Sequence, residues 1–245
     1  KKIKSQRPAL PHVVDTMSTT TPVKKRPRPA SSLCILTYNI WFSPAEMDLR
    51  MRSIAALVAQ HSPHILCFQE ITLQHWSILQ SQPAIAEYTW APAPTGDASR
   101  SYYTMLGCRR ADAMRAPRRT RFASSAMGRG SLSAQFCGIC DADAVVLPPL
   151  IVATSHLESL DQAPLRQAQL DETFASLELR ARESSPPTSD LIFCGDTNIM
   201  PSEVPTLAAG WTDAWPLVGL SVSASSAQRG GSAASAMTPP RRYDD

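Results

Sequence analysis

The 245-residue sequence predicts an α/β sandwich in which helices flank two mixed β-sheets. Short hydrophobic runs of strand length alternate along the chain with segments whose apolar residues recur at helical spacing. Four of the hydrophobic runs end in polar motifs, at residues 37–39, 68–70, 154–159 and 195–198. An apolar content of 43% is enough for a sizeable core. We therefore expect the four motifs to converge at one edge of the sheets.

The first half of the fold is predicted from strand-like and helix-like segments in turn. Residues 33–40 are expected to form the first central strand. Ser43 and Glu46 have the spacing of a helix capping box, and the apolar positions that follow share one helical face. Those positions are Met47, Met51, Ile54, Ala55 and Val58. Residues 65–68 then predict a second strand, and residues 73–79 a short helix.

The second half begins with a less regular, proline-interrupted stretch at residues 81–130. Eight arginines and a single acid, Asp112, lie between positions 100 and 129, so this stretch can face an anionic polymer. For most of these arginines the alternative is a solvated loop. The strand-like segments from here on are 87–90, 102–108, 131–140, 150–154 and 191–194, and a helix is expected across positions 170–181.

The net charge of +3 is unevenly distributed. Residues 1–32 carry eight Lys or Arg against Asp15 alone, and we expect them to form a disordered basic leader. The basic, proline-rich segment 22–29 resembles a nuclear import signal, which predicts a nuclear protein with the cytoplasm as a second compartment. Residues 221–245 are rich in Ser, Ala and Gly and predict a flexible tail.

The six cysteines lie mostly in apolar runs and are interpreted as small buried residues of a protein in a reducing compartment. Cys137 and Cys140 have the spacing of a zinc site, but no second pair or nearby His completes four ligands. The hydrophobic runs are short and interrupted by charge, so no membrane partner is expected. We expect a monomer.

The polar motifs contain the residue types that a metal and phosphate site needs. Glu70 ends an apolar run, and its carboxylate is a hard ligand suited to Mg²⁺, with Mn²⁺ as a second candidate. Asp196 and Asn198 can hold and deprotonate an attacking water, and His156 can donate to a phosphoryl oxygen. The alternatives are an ordinary Asp-x-Asn turn, a salt-bridged Glu and a core His.

In this order the motifs resemble those of the endonuclease/exonuclease/phosphatase superfamily, the deoxyribonuclease-I-like Mg²⁺ phosphodiesterases. The fuller strings are most similar to the 5′-tyrosyl-DNA phosphodiesterases (type 2), which repair trapped type II topoisomerase. These strings are CFQEI (67–71), TSHLES (154–159), CGDTN (194–198) and DAW (213–215) followed by Gly219. The resemblance implies a deoxyribonuclease-I-like sandwich and a catalytic domain over residues 33–220.

The resemblance also implies roles for individual residues. Asn39 and Glu70 belong to the metal site, and Asn39 also contacts the scissile phosphate. Asp196 acts as general base with Asn198 beside it, and His156 stabilises the transition state. Arg129 and Ser159 bind substrate, although Ser159 has a helix-cap alternative. The implied partner is DNA carrying a 5′-phosphotyrosyl adduct, or another nucleic acid.

One departure from the superfamily lies at the C-terminus. Its members end in a Ser-Asp-His motif, whereas no histidine follows His156 here, so the C-terminal strands are expected to be missing. The resemblance implies Mg²⁺-dependent hydrolysis of 5′-phosphotyrosyl-DNA bonds in repair of topoisomerase adducts. The first alternative is another superfamily activity, on abasic DNA, RNA tails, or lipid or inositol phosphates. The second is a truncated, catalytically impaired relative that only binds nucleic acid.

Overall fold

The computed structural model describes residues 32–92, 102–110, 113–139, 146–200, 202–203 and 205–214. The chain divides into two compact units, residues 1–200 and 201–245, and the helices and strands below belong to the first. Nearly all of the predicted leader, the predicted tail, Cys140, and Trp215 with Gly219 lie outside the described residues. The domain boundaries at residues 32 and 220 therefore stay predictions.

Within the described residues, eight strands form two four-stranded mixed sheets flanked by helices, which confirms the predicted α/β sandwich. The first sheet contains β1 (Ile35–Asn39), β2 (Ile65–Ile71), β3 (Thr89–Trp90) and β4 (Tyr103–Cys108). The second contains β5 (Met114–Arg121), β6 (Gly130–Phe136), β7 (Leu150–His156) and β8 (Asp190–Asp196). The helices are α1 (Met47–His61), α2 (Leu73–Gln80), α3 (Pro83–Ala86) and α4 (Ala163–Glu183).

The strand order explains why the polar motifs meet. The first sheet has the order β1-β2-β4-β3, and the second has the order β5-β6-β7-β8. β1 runs parallel to β2 and β7 runs parallel to β8, while the other neighbours are antiparallel. The carboxyl ends of parallel strands lie at the same edge of a sheet. Each sheet therefore brings the ends of two motif-bearing strands together.

The core has one layer between the sheets and another outside the first sheet. Between the sheets, the sulfur atoms of Cys67 on β2 and Cys194 on β8 lie 3.6 Å apart. Outside the first sheet, α1 buries four of the five positions that the sequence predicts, Met51, Ile54, Ala55 and Val58, while Met47 is partly buried. Burial of each large apolar side chain contributes about 1.5–3 kcal/mol, so this face is sufficient to hold the helix on the sheet.

The predicted capping box before α1 is wrong. The helix begins at Met47, and Glu46 is its N-cap in a left-handed conformation (φ 47°) without a side-chain cap hydrogen bond. Arg50 organises this segment instead, because its guanidinium donates to four backbone carbonyls. The acceptors are Ile40, Trp41, Ser43 and Ala45. Since one cation satisfies these carbonyls, the segment folds around Arg50 rather than extending the helix.

The stretch 81–130 is more regular than the sequence predicts. β4 confirms the strand-like segment 102–108, and β3 confirms only the second half of segment 87–90, because α3 precedes it. β5 occupies Met114–Arg121, where the sequence indicates an irregular, solvated loop. Among the described residues β5 pairs only with β6 and is largely exposed, which makes it an edge strand. A strand exposed on this scale has no apolar alternation, so hydrophobic periodicity carries no signal for it. Charged residues at such an edge also discourage pairing with other chains.

The outer face of the second sheet is covered by α4. Phe174 of this helix meets Phe193 of β8 edge-on, with 6.1 Å between ring centroids. The helix expected across positions 170–181 is confirmed and extends beyond both ends. Among the helices of the described residues, we find none with the length and apolar character that a bilayer crossing requires.

Candidate active site

Asn39, Glu70, His156 and Asp196 lie at one edge of the sandwich. Asn39, His156 and Asp196 are the last residues of their strands, and His156 pairs in register with Asp196. Glu70 stands at an irregularity near the end of β2, where its φ is 61°. A left-handed conformation at a non-glycine residue costs on the order of 1–3 kcal/mol, so the surrounding contacts must hold Glu70 in place.

The Asn39 side chain links the two carboxylates of this group. Its Nδ2 donates to Glu70 Oε1 at 3.0 Å and to Asp196 Oδ2 at 2.6 Å. His156 lies between the same carboxylates, with Nε2 3.7 Å from Asp196 Oδ2 and Nδ1 3.8 Å from Glu70 Oε1. Side chains from four strands and both sheets therefore form one polar cluster, as the motif positions predict.

Arg129 determines the protonation pattern of His156. Its Nη1 lies 2.9 Å from His156 Nδ1 in a buried contact. A guanidinium can only donate, so Nδ1 is the acceptor and the ring proton is on Nε2, facing Asp196. The predicted role of Arg129 in binding substrate stays a prediction; the structure adds that Arg129 orients the histidine.

His156 is neutral near pH 7 in this environment. Burial, and then the neighbouring Arg129 charge, lower the pKa of His156 below its ordinary value, although Asp196 and Glu70 partly offset the effect. A neutral imidazole whose single N–H is on Nε2 is a directed hydrogen-bond donor. This is the form that can donate to a phosphoryl oxygen.

Asp196 and Asn198 form the Asp-x-Asn turn that the sequence offers as an alternative, yet Asp196 also belongs to the cluster. Asp196 Oδ1 accepts from the Asn198 N–H at 3.1 Å, while Oδ2 accepts from Asn39. The Asn198 Nδ2 donates to the carbonyl of Leu157 at 3.1 Å. The turn thus holds one carboxylate oxygen and leaves the other directed at the cluster.

Gln69 connects three of the four motifs beneath the cluster. It is buried, and its Nε2 donates to Thr37 Oγ1 at 3.1 Å and to Thr154 Oγ1 at 3.0 Å. Buried polar groups without partners are unfavourable, so the two threonines and the amide require one another. The link crosses from the first sheet to the second and fixes the spacing of the strand ends.

Glu158 supports the loop that carries Arg129. Its fully buried carboxylate accepts from Ser125 Oγ at 2.9 Å, from the Met127 N–H at 2.7 Å and from Gln169 Nε2 at 2.9 Å. Burial alone raises the pKa of Glu158, but these hydrogen bonds together with the Arg129 charge lower it overall. The carboxylate is therefore ionised in the folded protein and holds the loop against α4.

Replacing Glu158 by Gln is expected to destabilise the fold by about 1–3 kcal/mol, because an amide cannot accept from all three donors. Chemical denaturation at pH 7 measures this difference. A lowered pKa contributes stability that is present above the unfolded value, about 4.3, and is lost as the pH falls. The gap between wild type and Glu158→Gln should therefore shrink below about pH 4.3.

Glu172→Gln is the matched control for this prediction. Glu172 accepts from the backbone N–H groups of Ala123 and Ser124, in the same loop, but it is only partly buried. Water can replace these contacts, so the loss of stability should be smaller than for Glu158→Gln. Equal losses in the two variants would contradict a special role for the buried carboxylate.

Ser159 and Tyr102 show where sequence and structure diverge. The Ser159 hydroxyl donates to the Met127 sulfur at 3.2 Å and makes no described contact with the cluster, so its substrate role stays a prediction.

Tyr102 lies in the cluster although the sequence carries no signal for it. Its ring stacks on His156 with centroids 6.0 Å apart, and the Arg129 guanidinium lies 5.3 Å from its centroid.

The cluster fits a small divalent cation. Glu70, Asp196 and His156 each offer one atom within 4.8 Å of the others. Mg²⁺ and Mn²⁺ prefer carboxylate oxygens, and His156 Nδ1 already accepts from Arg129, so a carboxylate rather than the histidine is suited to hold the ion, and Glu70 is the candidate. Two carboxylates gathered in a partly buried place also need compensating positive charge. Ligation by Asn39 stays a prediction.

A model of the Endonuclease/Exonuclease/phosphatase family matches residues 36–217 of the chain. Solved structures are also similar, including that of TDP2 from C. elegans, with a TM-score of 0.62 and 21% identity. This match covers 77% of the present chain and 54% of the other, so the chain spans about half the length of that relative.

Two further structures have the same fold. D. rerio TDP2 complexed with a single-strand DNA product has a TM-score of 0.58 at 23% identity, covering 77% of this chain and 70% of that one. The human Nocturnin catalytic domain, with bound sulfate, has a TM-score of 0.54 at 17% identity, covering 70% and 65%. Comparison with curated protein sequences found no match.

Proposed function

The chain belongs to the endonuclease/exonuclease/phosphatase family, and on that basis we propose that it is a divalent-metal-dependent hydrolase of 5′-phosphotyrosyl-DNA bonds. Members of this family are hydrolases of phosphate esters. The observation that carries the proposal is the convergence of Glu70, Asp196 and His156 around the Asn39 amide. An ion held by Glu70 would neutralise charge on the phosphoryl oxygens.

The described side chains of the cluster support a separate role for each of three residues. Asp196 acts as the general base, because its Oδ2 faces the cluster while its Oδ1 is held by the Asn198 N–H. His156 donates from Nε2 to a phosphoryl oxygen as charge develops in the transition state. Arg129 keeps His156 in that tautomer, and its buried Nε has no partner among the described residues, as expected of a site completed by an anion.

A nucleic-acid substrate is supported by charge and by the relatives. Arg115, Arg118 and Arg121 are exposed along β5. Arg121 pairs with Gly130, which directly follows Arg129, so the end of β5 lies next to the residue that contacts His156. Exposed cations of this kind favour phosphate backbones. The D. rerio TDP2 structure with a DNA product makes DNA the substrate to test first. Nuclear localisation remains a prediction from segment 22–29.

The test is to incubate the full chain with Mg²⁺ and an oligonucleotide carrying a 5′-phosphotyrosyl group. The expected product is an oligonucleotide with a 5′-phosphate. No product should form in EDTA, and added Mg²⁺ or Mn²⁺ should restore cleavage. A panel containing abasic DNA, an RNA tail and an inositol phosphate identifies the preferred substrate. Faster turnover of the inositol phosphate would contradict the DNA assignment. Salt-sensitive DNA binding without metal-dependent cleavage would instead support the impaired-relative alternative.

A further inference from the structure

Two large aromatic side chains are exposed directly beside the cluster. Trp41 is 53% exposed and Phe42 is 46% exposed. Their backbones belong to the site, because the Trp41 N–H donates to Asn39 Oδ1 and the Phe42 N–H donates to Glu70 Oε2, both at 2.8 Å. The segment that carries the two rings is therefore hydrogen-bonded directly to Asn39 and Glu70 of the cluster.

Arg50 fixes the position of these rings. Besides holding the carbonyls of residues 40, 41, 43 and 45, its guanidinium lies 4.8 Å from the centroid of the Trp41 ring. Trp41 has a left-handed backbone (φ 59°), a conformation that costs on the order of 1–3 kcal/mol. The segment is thus held in an unfavourable conformation that keeps a large apolar ring in solvent. A surface ordered in advance binds a ligand without a further loss of conformational entropy.

Phe42 continues this surface toward the catalytic histidine. Its ring stacks on Tyr102 at 5.0 Å with an interplanar angle of 21°, and Tyr102 stacks on His156 at 6.0 Å and 30°. The rings form a continuous series from solvent to the donor that faces the phosphate. Contiguous exposed aromatic surface at a polar site is characteristic of ligand binding.

We propose that Trp41 and Phe42, held by Arg50, form a stacking site for unpaired bases of a single-stranded nucleic-acid end. The inference rests on the proposed function, because it names the part of the substrate that lies next to the reacting phosphate. Planar rings together with a cation are the combination that binds single strands, and here the Arg50 guanidinium lies against the Trp41 ring. Bases inside a duplex already stack on one another on both faces, whereas an unpaired base has both faces available, so we expect the site to prefer unpaired ends.

The first experiment measures binding, which requires no turnover. Fluorescence anisotropy compares a 3′-labelled single strand with the same strand carrying tetrahydrofuran residues, which lack a base, at its 5′-terminal positions. Stacking of one base accounts for about a five- to hundredfold gain in affinity. Wild type should bind the base-bearing strand tighter by that factor. Trp41→Ala and Phe42→Ala should reduce this preference, while Trp41→Tyr retains much of it.

Leu179→Ala is the matched control, since Leu179 is an exposed apolar residue on α4 and not part of the stacking site. Equal affinity of wild type for the two strands overturns the proposal, as does an equal loss for both strands in Trp41→Ala. Binding that depends on the bases but without any cleavage leaves the stacking site intact and contradicts the proposed function instead. Where cleavage occurs, Trp41→Ala should raise KM for the base-bearing substrate alone.

Discussion

The Glu70→Gln and Asp196→Asn variants are each expected to lose metal-dependent cleavage by about three orders of magnitude or more. Both residues accept a hydrogen bond from Asn39 Nδ2, at 3.0 and 2.6 Å. An amide in either position removes a negative charge, and its NH₂ group is a donor placed where the Asn39 Nδ2 also donates. The measurement is kcat/KM across a Mg²⁺ titration, together with calorimetric titration of Mn²⁺, which reports ion binding independently of turnover.

Asp48→Asn provides the matched control for the carboxylate variants. Asp48 is exposed on α1 and pairs with Arg52 at 2.7 Å, an interaction worth at most about 1 kcal/mol. Its replacement should leave both activity and ion binding unchanged. Wild-type turnover in Glu70→Gln or Asp196→Asn would remove the basis of the proposed function, because no other carboxylate pair in the described residues meets His156.

Gly195→Ala is expected to destabilise the protein by about 3 kcal/mol or more and to abolish activity. Gly195 pairs with Ser155 in the parallel β7–β8 register. An added Cβ would fall well inside van der Waals contact of the Ser155 carbonyl oxygen and 2.9 Å from the Ser155 nitrogen. Because the obstructing atoms are backbone, they cannot rotate away. The clash would separate the two strands that carry His156 and Asp196.

Gly138→Ala separates this clash from the general effect of replacing a glycine. Gly138 has a left-handed backbone (φ 70°), but an added Cβ there meets nothing within 4 Å. The expected loss is about 1–2 kcal/mol from backbone conformation alone. Urea denaturation with circular dichroism compares both variants with wild type. A loss for Gly195→Ala no larger than that for Gly138→Ala would mean that the strands accommodate the extra atom.

The sequence predicts the central elements well, because buried strands and amphipathic helices have a distinct apolar period. β2 and β7 are buried along their whole length, and α1 buries the predicted positions. β5 escapes prediction because an exposed edge strand rich in arginine has no such period. The capping box fails for a different reason, since Arg50 lies in the following helix and its hydrogen bonds to the preceding carbonyls depend on tertiary geometry.

The candidate site was partly predictable from the same hydrophobic runs. Asn39, Glu70, His156 and Asp196 were singled out because each ends a hydrophobic run, and parallel strands end at a common edge. Glu158 could also have been identified from the sequence, because an acid that continues a buried motif requires partners. Tyr102 was not, because its proximity to His156 results from the packing of one sheet on the other.

Local patterning along the chain determined which residue types stand at the strand ends, and therefore that a carboxylate, amide and imidazole site exists. Tertiary structure decided how those groups act on one another. The proton position of His156 depends on Arg129 from another loop, and the exposure of Trp41 depends on Arg50 from the next helix. Hydrogen bonds between residues distant in sequence depend on direction and distance, which a linear pattern does not encode. The apolar periodicity of strands and helices is local, so it can be recognised directly in the sequence.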